Sequence, residues 1–122
     1  MSRHRYRHGM HWIRDEKRLA LYMRDSFSCL YCGVGIESEG VILTLDHVKH
    51  NGGNHESNLV TCCFDCNRAK SWKSLKTFLK RFTVREVGRI VLRMERAKEL
   101  RVKDFLSEAK ETIKRRKLET PF

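Results

Sequence analysis

Two Cys-x-x-Cys pairs, Cys29-Leu30-Tyr31-Cys32 and Cys63-Phe64-Asp65-Cys66, constrain this chain more than any other feature. Two residues between thiols let one turn present both sulfurs to a single ion, and Gly33 permits the tight backbone after the first pair. Thirty residues, 33 to 62, lie between the pairs. Four thiolates satisfy a tetrahedral zinc completely, which makes such a site structural and closed. Redox chemistry at a Cys-x-x-Cys needs a thioredoxin-like βαβ context, which the pattern lacks. A fifth cysteine, Cys62, breaks the spacing to Cys66 and is expected to be a small buried residue or a free thiol.

Charge points to a partner. The formal net charge is +11 in 122 residues, a single-domain length. A basic domain of this size suits a polyanion, most often nucleic acid; the plainer reading is a solubilising surface. The charge is unevenly placed. Residues 29–67 hold 1 Lys/Arg against 5 Asp/Glu, while residues 68–122 hold 18 against 7. An acidic, cysteine-rich centre between basic flanks suits a metal site presented to a phosphate backbone. The odd cysteine count and the missing apolar stretch near the N-terminus argue against a secreted disulfide framework. No apolar run approaches membrane-spanning length. A cytoplasmic, reducing compartment is therefore expected, in a bacterial cell or a phage-infected host.

Along the chain, residues 1–11 are rich in Arg and His without periodicity. They are expected to form a flexible basic arm, either simply solvated or touching phosphates; a metal site at His4, His8 and His11 has no supporting context. Residues 12–26 have Leu19, Tyr22 and Met23 at helical spacing and should cover one side of the core. Val41–Asp46 reads as a strand that His47 and Val48 continue, Asn51-Gly52-Gly53-Asn54 as a turn, and Leu59-Val60 as a return segment. A helix is predicted from Cys66, with Trp72, Leu75, Phe78, Leu79 and Phe82 as a core stripe rather than a base-stacking surface. Thr83-Val84-Arg85-Glu86 is a capping-box pattern. The apolar positions after it fit one long helix or two, and the tail KRRKLETPF is expected to fray.

The ordered set Cys29-x-x-Cys32, Leu45-Asp46-His47-Val48, Gly52-Gly53, Asn58-Leu59-Val60 and Cys63-x-x-Cys66-Asn67-x-x-Lys70 resembles the HNH endonucleases, most closely their zinc-stabilised bacterial and phage branch. The resemblance covers about residues 12–75. It implies an α+β class: a small ββα-metal core with a four-cysteine zinc, flanked by an N-terminal helix and C-terminal helices. On that basis residues 12–82 are the nuclease core and 83–122 a helical extension that packs on it or dimerises. His47 takes the place of the general base, Asp46 that of a metal ligand, and Asn58 that of the middle residue that steadies the hairpin. Asn67 stands where the third letter is His or Asn, which makes the chain an HNN variant. An amide oxygen there suits Mg²⁺ or Mn²⁺, whereas imidazole would also suit Zn²⁺ or Ni²⁺.

The chemistry is consistent on its own terms. An imidazole with a pKa near 6.5 can take a proton from water at neutral pH. A divalent ion held by one carboxylate and one amide keeps positions open for phosphate oxygens and water. The expected function is metal-dependent hydrolysis of DNA phosphodiester bonds, by default nicking, with 5′-phosphate and 3′-hydroxyl products. His50 on the hairpin, and Arg68, Lys70 and Lys73 near Asn67, are candidate contacts to the nucleic acid; His55 reads as an exposed loop residue. The competing class is a zinc-ribbon-like nucleic-acid-binding module without catalysis, and a weaker one a protein-partner adaptor. Neither explains why Asp46, His47, Asn58 and Asn67 occur together. Monomer and homodimer are both compatible with the sequence.

Overall fold

A computed structural model describes residues 12–119 of the chain. Its centre is a two-stranded antiparallel hairpin, β1 (Leu43–His47) and β2 (Leu59–Cys63), with Asp46 opposite Val60 and His47 opposite Leu59. The Val48 N–H extends the ladder to the Asn58 carbonyl. Residues opposite each other share a face of the sheet. Leu45 and Leu59 therefore point one way, Val60 and Cys62 the other. Both faces are covered, which explains why β2 is buried along its whole length instead of alternating.

On the first face lie helices α1 (Asp15–Arg24) and α5 (Lys103–Glu119), packed along each other. Leu45 and Leu59 meet Ala20 and Leu21 of α1 and Val102 and Ala109 from the α5 side. A buried ion pair locks α1 to β2. Arg24 donates to Asp25 at 2.7 Å, and to the carbonyls of Glu56 and Leu59, while Asp25 accepts the Thr61 N–H at 2.9 Å. All the strong donors and acceptors are matched, as a buried pair requires.

The second face carries α2 (Phe64–Lys70), α3 (Leu75–Leu79) and α4 (Val84–Glu99). Val60, Cys62 and Tyr31 pack with Phe78, Ile90 and Ala97 into one core. The Thr83–Glu86 capping box forms with both reciprocal hydrogen bonds. Two helices follow it, not one. Leu100 is extended, and buried Val102 plugs the core while its N–H meets Glu56 Oε2 at 3.1 Å. No Gly or Pro is needed for that break.

Three expectations change. The helix predicted from Cys66 starts at Phe64 and stops at Lys70, because Ser71 takes φ 48° and ψ −122° and Lys73 N–H closes a turn onto the Lys70 carbonyl. That is the conformation of a type II′ turn, which usually takes Gly; Ser there costs about 1–3 kcal/mol. Ser74 then caps a separate helix through Thr77. As a result Trp72 is not core: it is 76% exposed, while Phe78 is buried. The C-terminal segment is helical to Glu119, rather than frayed from Lys114. The arm at residues 1–11, with His4, His8 and His11, lies outside the described residues. No helix among the described residues is long and apolar enough to cross a membrane.

Candidate functional site

The two Cys-x-x-Cys turns meet. The sulfurs of Cys29, Cys32, Cys63 and Cys66 all lie within 4.8 Å of one another, and Cys32 and Cys63 are 3.8 Å apart. A tetrahedral zinc with Zn–S bonds near 2.3 Å requires sulfurs about 3.8 Å apart, so the donor set and its spacing fit that ion. Backbone N–H groups of Cys32 and Cys66 point at Cys29 and Cys63 sulfurs, each at 3.4 Å. The Cys63 sulfur is thereby also the N-cap of α2. The Cys66 thiol's hydrogen bond pulls the Cys29 thiol below its ordinary value, and burial pushes the Cys63 thiol above it. A bound cation would hold all four as thiolates. Cys62 stays apart: it is buried beside Thr44, and burial pushes its thiol well up.

From α4, Arg93 donates to the carbonyls of Leu30 and Tyr31, bracing the first Cys turn. Gly33 sits below it at φ +84°, and an added Cβ would come within 2.7 Å of the Arg93 guanidinium. Here glycine is needed for the backbone, and its missing Cβ leaves room for the Arg93 guanidinium.

At the end of β1, Asp46 and His47 point to opposite faces, as the strand period demands. Asp46 is buried toward α2. Its Oδ2 accepts the Tyr31 hydroxyl at 2.6 Å and pairs with Lys70 Nζ at 3.1 Å. Burial, reinforced by the charge of Asp46, pushes the Tyr31 phenol up, so it remains a donor. Lys70 also donates to the His47 carbonyl at 2.9 Å and is 1% exposed. This corrects the reading of Lys70 as a phosphate contact: its ammonium is consumed inside the protein.

His47 is half-buried on the other face and packs against Trp12, with ring centroids 4.7 Å apart. Its Nε2 donates to Asn54 Oδ1 at 2.7 Å, which leaves Nδ1 as the basic nitrogen. Asn54 belongs to the long hairpin loop, and Asn58 locks that loop. Asn58 accepts the Lys49 N–H at 2.8 Å and donates to the Lys49 and Gly53 carbonyls. The two glycines serve different ends: Gly53 has φ +83°, whereas a Cβ on Gly52 would meet Asn58 Nδ2 at 2.8 Å.

Asn67 lies one residue past Cys66, on α2. Its Nδ2 donates to Thr44 Oγ1 at 2.8 Å and to the Leu45 carbonyl at 3.2 Å. Asn67 and Asp46 thus both face the β1–α2 side. Asn67 Oδ1 and Asp46 Oδ1 accept no hydrogen bond among the described residues, and neither is sealed from solvent.

Residues 29–73 match the family model for HNH endonuclease. That match takes in both Cys turns, the hairpin and α2. The fold is that of a small α+β unit with a two-stranded antiparallel sheet beside a four-cysteine cluster. The chain is similar to part of the Type II-C Cas9 enzyme from Actinomyces naeslundii, with a TM-score of 0.50 and 23% identity over 74% of this chain. The likeness is one of fold, and the matched part is 12% of that enzyme's chain. No curated protein sequence matches the chain.

The other residues singled out from the sequence are solvent-exposed. Arg68 and Lys73 are exposed; Arg68 lies over the Phe64 ring and Lys73 Nζ donates to the Ala69 carbonyl. His50 is exposed and packs edge-to-face on Trp72 at 4.7 Å. His55 is exposed, as expected, and caps the short 3₁₀ turn Glu56–Asn58. Sequence reasoning missed Tyr31, Asn54 and Arg93. Asn54 carried a signal, since it closes the Asn-Gly-Gly-Asn turn, but Tyr31 and Arg93 act through partners distant in sequence.

Proposed function

We propose that the chain is a metal-dependent DNA endonuclease that hydrolyses phosphodiester bonds by nicking, with His47 Nδ1 as the general base. The observation that carries the reading is the division of labour at the end of β1. One face offers two unengaged oxygens, Asp46 Oδ1 and Asn67 Oδ1; the other fixes an imidazole in the tautomer that can accept a proton. The pair of hard oxygens fits Mg²⁺ or Mn²⁺, so Asp46 and Asn67 would hold such an ion. When bound, a divalent ion supplies Lewis-acid stabilisation of the charge that builds on the scissile phosphate.

The protein's own residues do the rest. His47 takes the proton of the attacking water. Asn54 fixes its ring, and Asn58 fixes Asn54's loop, so Asn58 is a positioning residue. Tyr31 and Lys70 hold Oδ2 of Asp46 and thereby aim Oδ1. The four cysteines bind zinc and set the start of α2, which places Asn67. Arg68 and Lys73 contribute sequence-independent attraction to phosphate. In this reading residues 12–82 are the working unit, α4 and α5 brace it, and the protein acts in the cytoplasm as a monomer or homodimer.

One observation favours a second reading. The Lys70 ammonium already neutralises Asp46, as it would in a zinc-ribbon-like module that binds nucleic acid without cutting it. Nicking of supercoiled plasmid with Mg²⁺, Mn²⁺ or Ni²⁺ separates the two. Wild type is expected to nick with at least one ion, and His47→Ala to lose about 10²–10⁴-fold while keeping zinc and fold. Full activity in His47→Ala overturns the assignment; no nicking by wild type with any ion leaves the binding module.

A further inference from the structure

Trp72 has the surroundings of a stacking platform. Its indole is 76% exposed, the most exposed aromatic side chain among the described residues' large hydrophobics. Single exposed apolar residues are common and need no function. Three features set this one apart. Ser71 is held at φ 48° and ψ −122°, a conformation that serine adopts at a cost, in the turn that turns Trp72 away from the core stripe. His50, from the hairpin loop just after β1, packs edge-to-face on the indole at 4.7 Å and fixes its orientation. The neighbours are cationic: Lys73 follows Trp72, Lys49 precedes His50, and all four residues are exposed.

The platform is also close to the proposed chemistry. Lys70, two residues before Trp72, donates to the His47 carbonyl, and His50 lies three residues beyond His47. The Trp72–His50 pair therefore bridges the end of α2 to the loop that follows the base. An indole flanked by lysines, beside a phosphodiester-cleaving site, is the arrangement that single-stranded nucleic acid favours: backbone to the cations, base on the ring.

We propose that Trp72, propped by His50, stacks on a nucleobase of the bound strand next to the scissile phosphate. The inference rests on the reading of the chain as a protein that binds nucleic acid; it adds a base-binding subsite and a preference for a base that can leave its stack.

The test uses the full chain with its zinc retained and no other divalent ion added, so that binding is read without cleavage. The probe is a fluorescent oligothymidylate, with an abasic oligonucleotide of equal length as its control. Trp72→Ala is expected to weaken binding to oligothymidylate about 5- to 150-fold and Trp72→Phe to retain most of it. Neither should alter the slope of log affinity against log salt, because the phosphate contacts remain; Lys73→Ala should make that slope shallower by about one. In a Trp12→Phe background, Trp72 fluorescence should be quenched by oligothymidylate and not by the abasic strand. Unchanged affinity in Trp72→Ala, on a strand that wild type binds, overturns the platform alone. A weakened affinity that comes with a shallower salt slope or equal loss on the abasic strand overturns it too. If wild type neither binds nor nicks DNA, the nucleic-acid reading falls and the platform falls with it.

Discussion

At the residue scale, one carboxylate decides how the centre is built. Asp46 is 8% exposed, and such a charge is tolerated only with partners. Tyr31 and Lys70 provide them, and both come from segments that hold the clustered cysteines or follow them. The two partners are not equivalent. Tyr31→Phe removes one donor and leaves the ion pair, so a loss of about 1–3 kcal/mol in unfolding free energy is expected. Lys70→Met leaves the carboxylate buried and unpaired, and a larger loss of about 3–5 kcal/mol is expected. Urea denaturation of the two variants, with zinc content measured in parallel, checks the ordering. Equal destabilisation, or loss of zinc from Tyr31→Phe, would show that the hydroxyl supports the cysteine turn rather than Asp46.

At the scale of elements, what could be read from the sequence divides by range. Short-range chemistry was legible: the two Cys turns, the strand ending in Asp46-His47, and the Thr83–Glu86 box each appear where local pattern put them. The turn at Ser71 was not, because nothing in Lys-Ser-Trp-Lys announces a positive φ that glycine would normally supply. Trp72 was misplaced for that reason: one residue of unexpected backbone moved it off a stripe that Phe78 still obeys. The break between α4 and α5 was equally silent, since it depends on Val102 meeting Glu56, 46 residues away. The capping box also yields a test with a defined sign. Hydrogen bonds from Thr83 hold the Glu86 carboxyl below its ordinary 4.5, so its contribution is complete above that value and is lost as pH falls through the lowered one. Glu86→Ala should thus lower the melting temperature at neutral pH, and the gap to wild type should close as acid carries the pH below 4.5 and through the lowered value. A gap that persists at pH 2–3 would mean that the side chain acts by packing.

For the whole molecule, the four-cysteine cluster is the point at which the elements are tied. It joins the turn after α1, the end of β2 and the start of α2, and α4 reaches it through Arg93. Structural zinc is worth about 10–16 kcal/mol in small metal-bound peptides at neutral pH. Domains of this size are stable by only about 5–15 kcal/mol in total. The metal term is thus as large as the net stability, and the chain without zinc should not keep its fold. Cys66→Ser, or a strong chelator, is expected to abolish zinc binding, collapse the near-ultraviolet dichroism and stop any nicking. Cys62→Ala should keep one zinc per chain, because that thiol points into the core beside Thr44. The adjacency of Cys66 and Asn67 makes the coupling directional. Losing the zinc removes the helix start that places Asn67, whereas Asn67→Ala should lose nicking with zinc still bound. Zinc stoichiometry, dichroism and plasmid nicking measured on the same three variants check this, and a folded, zinc-free Cys66→Ser protein that still nicks would separate the two sites.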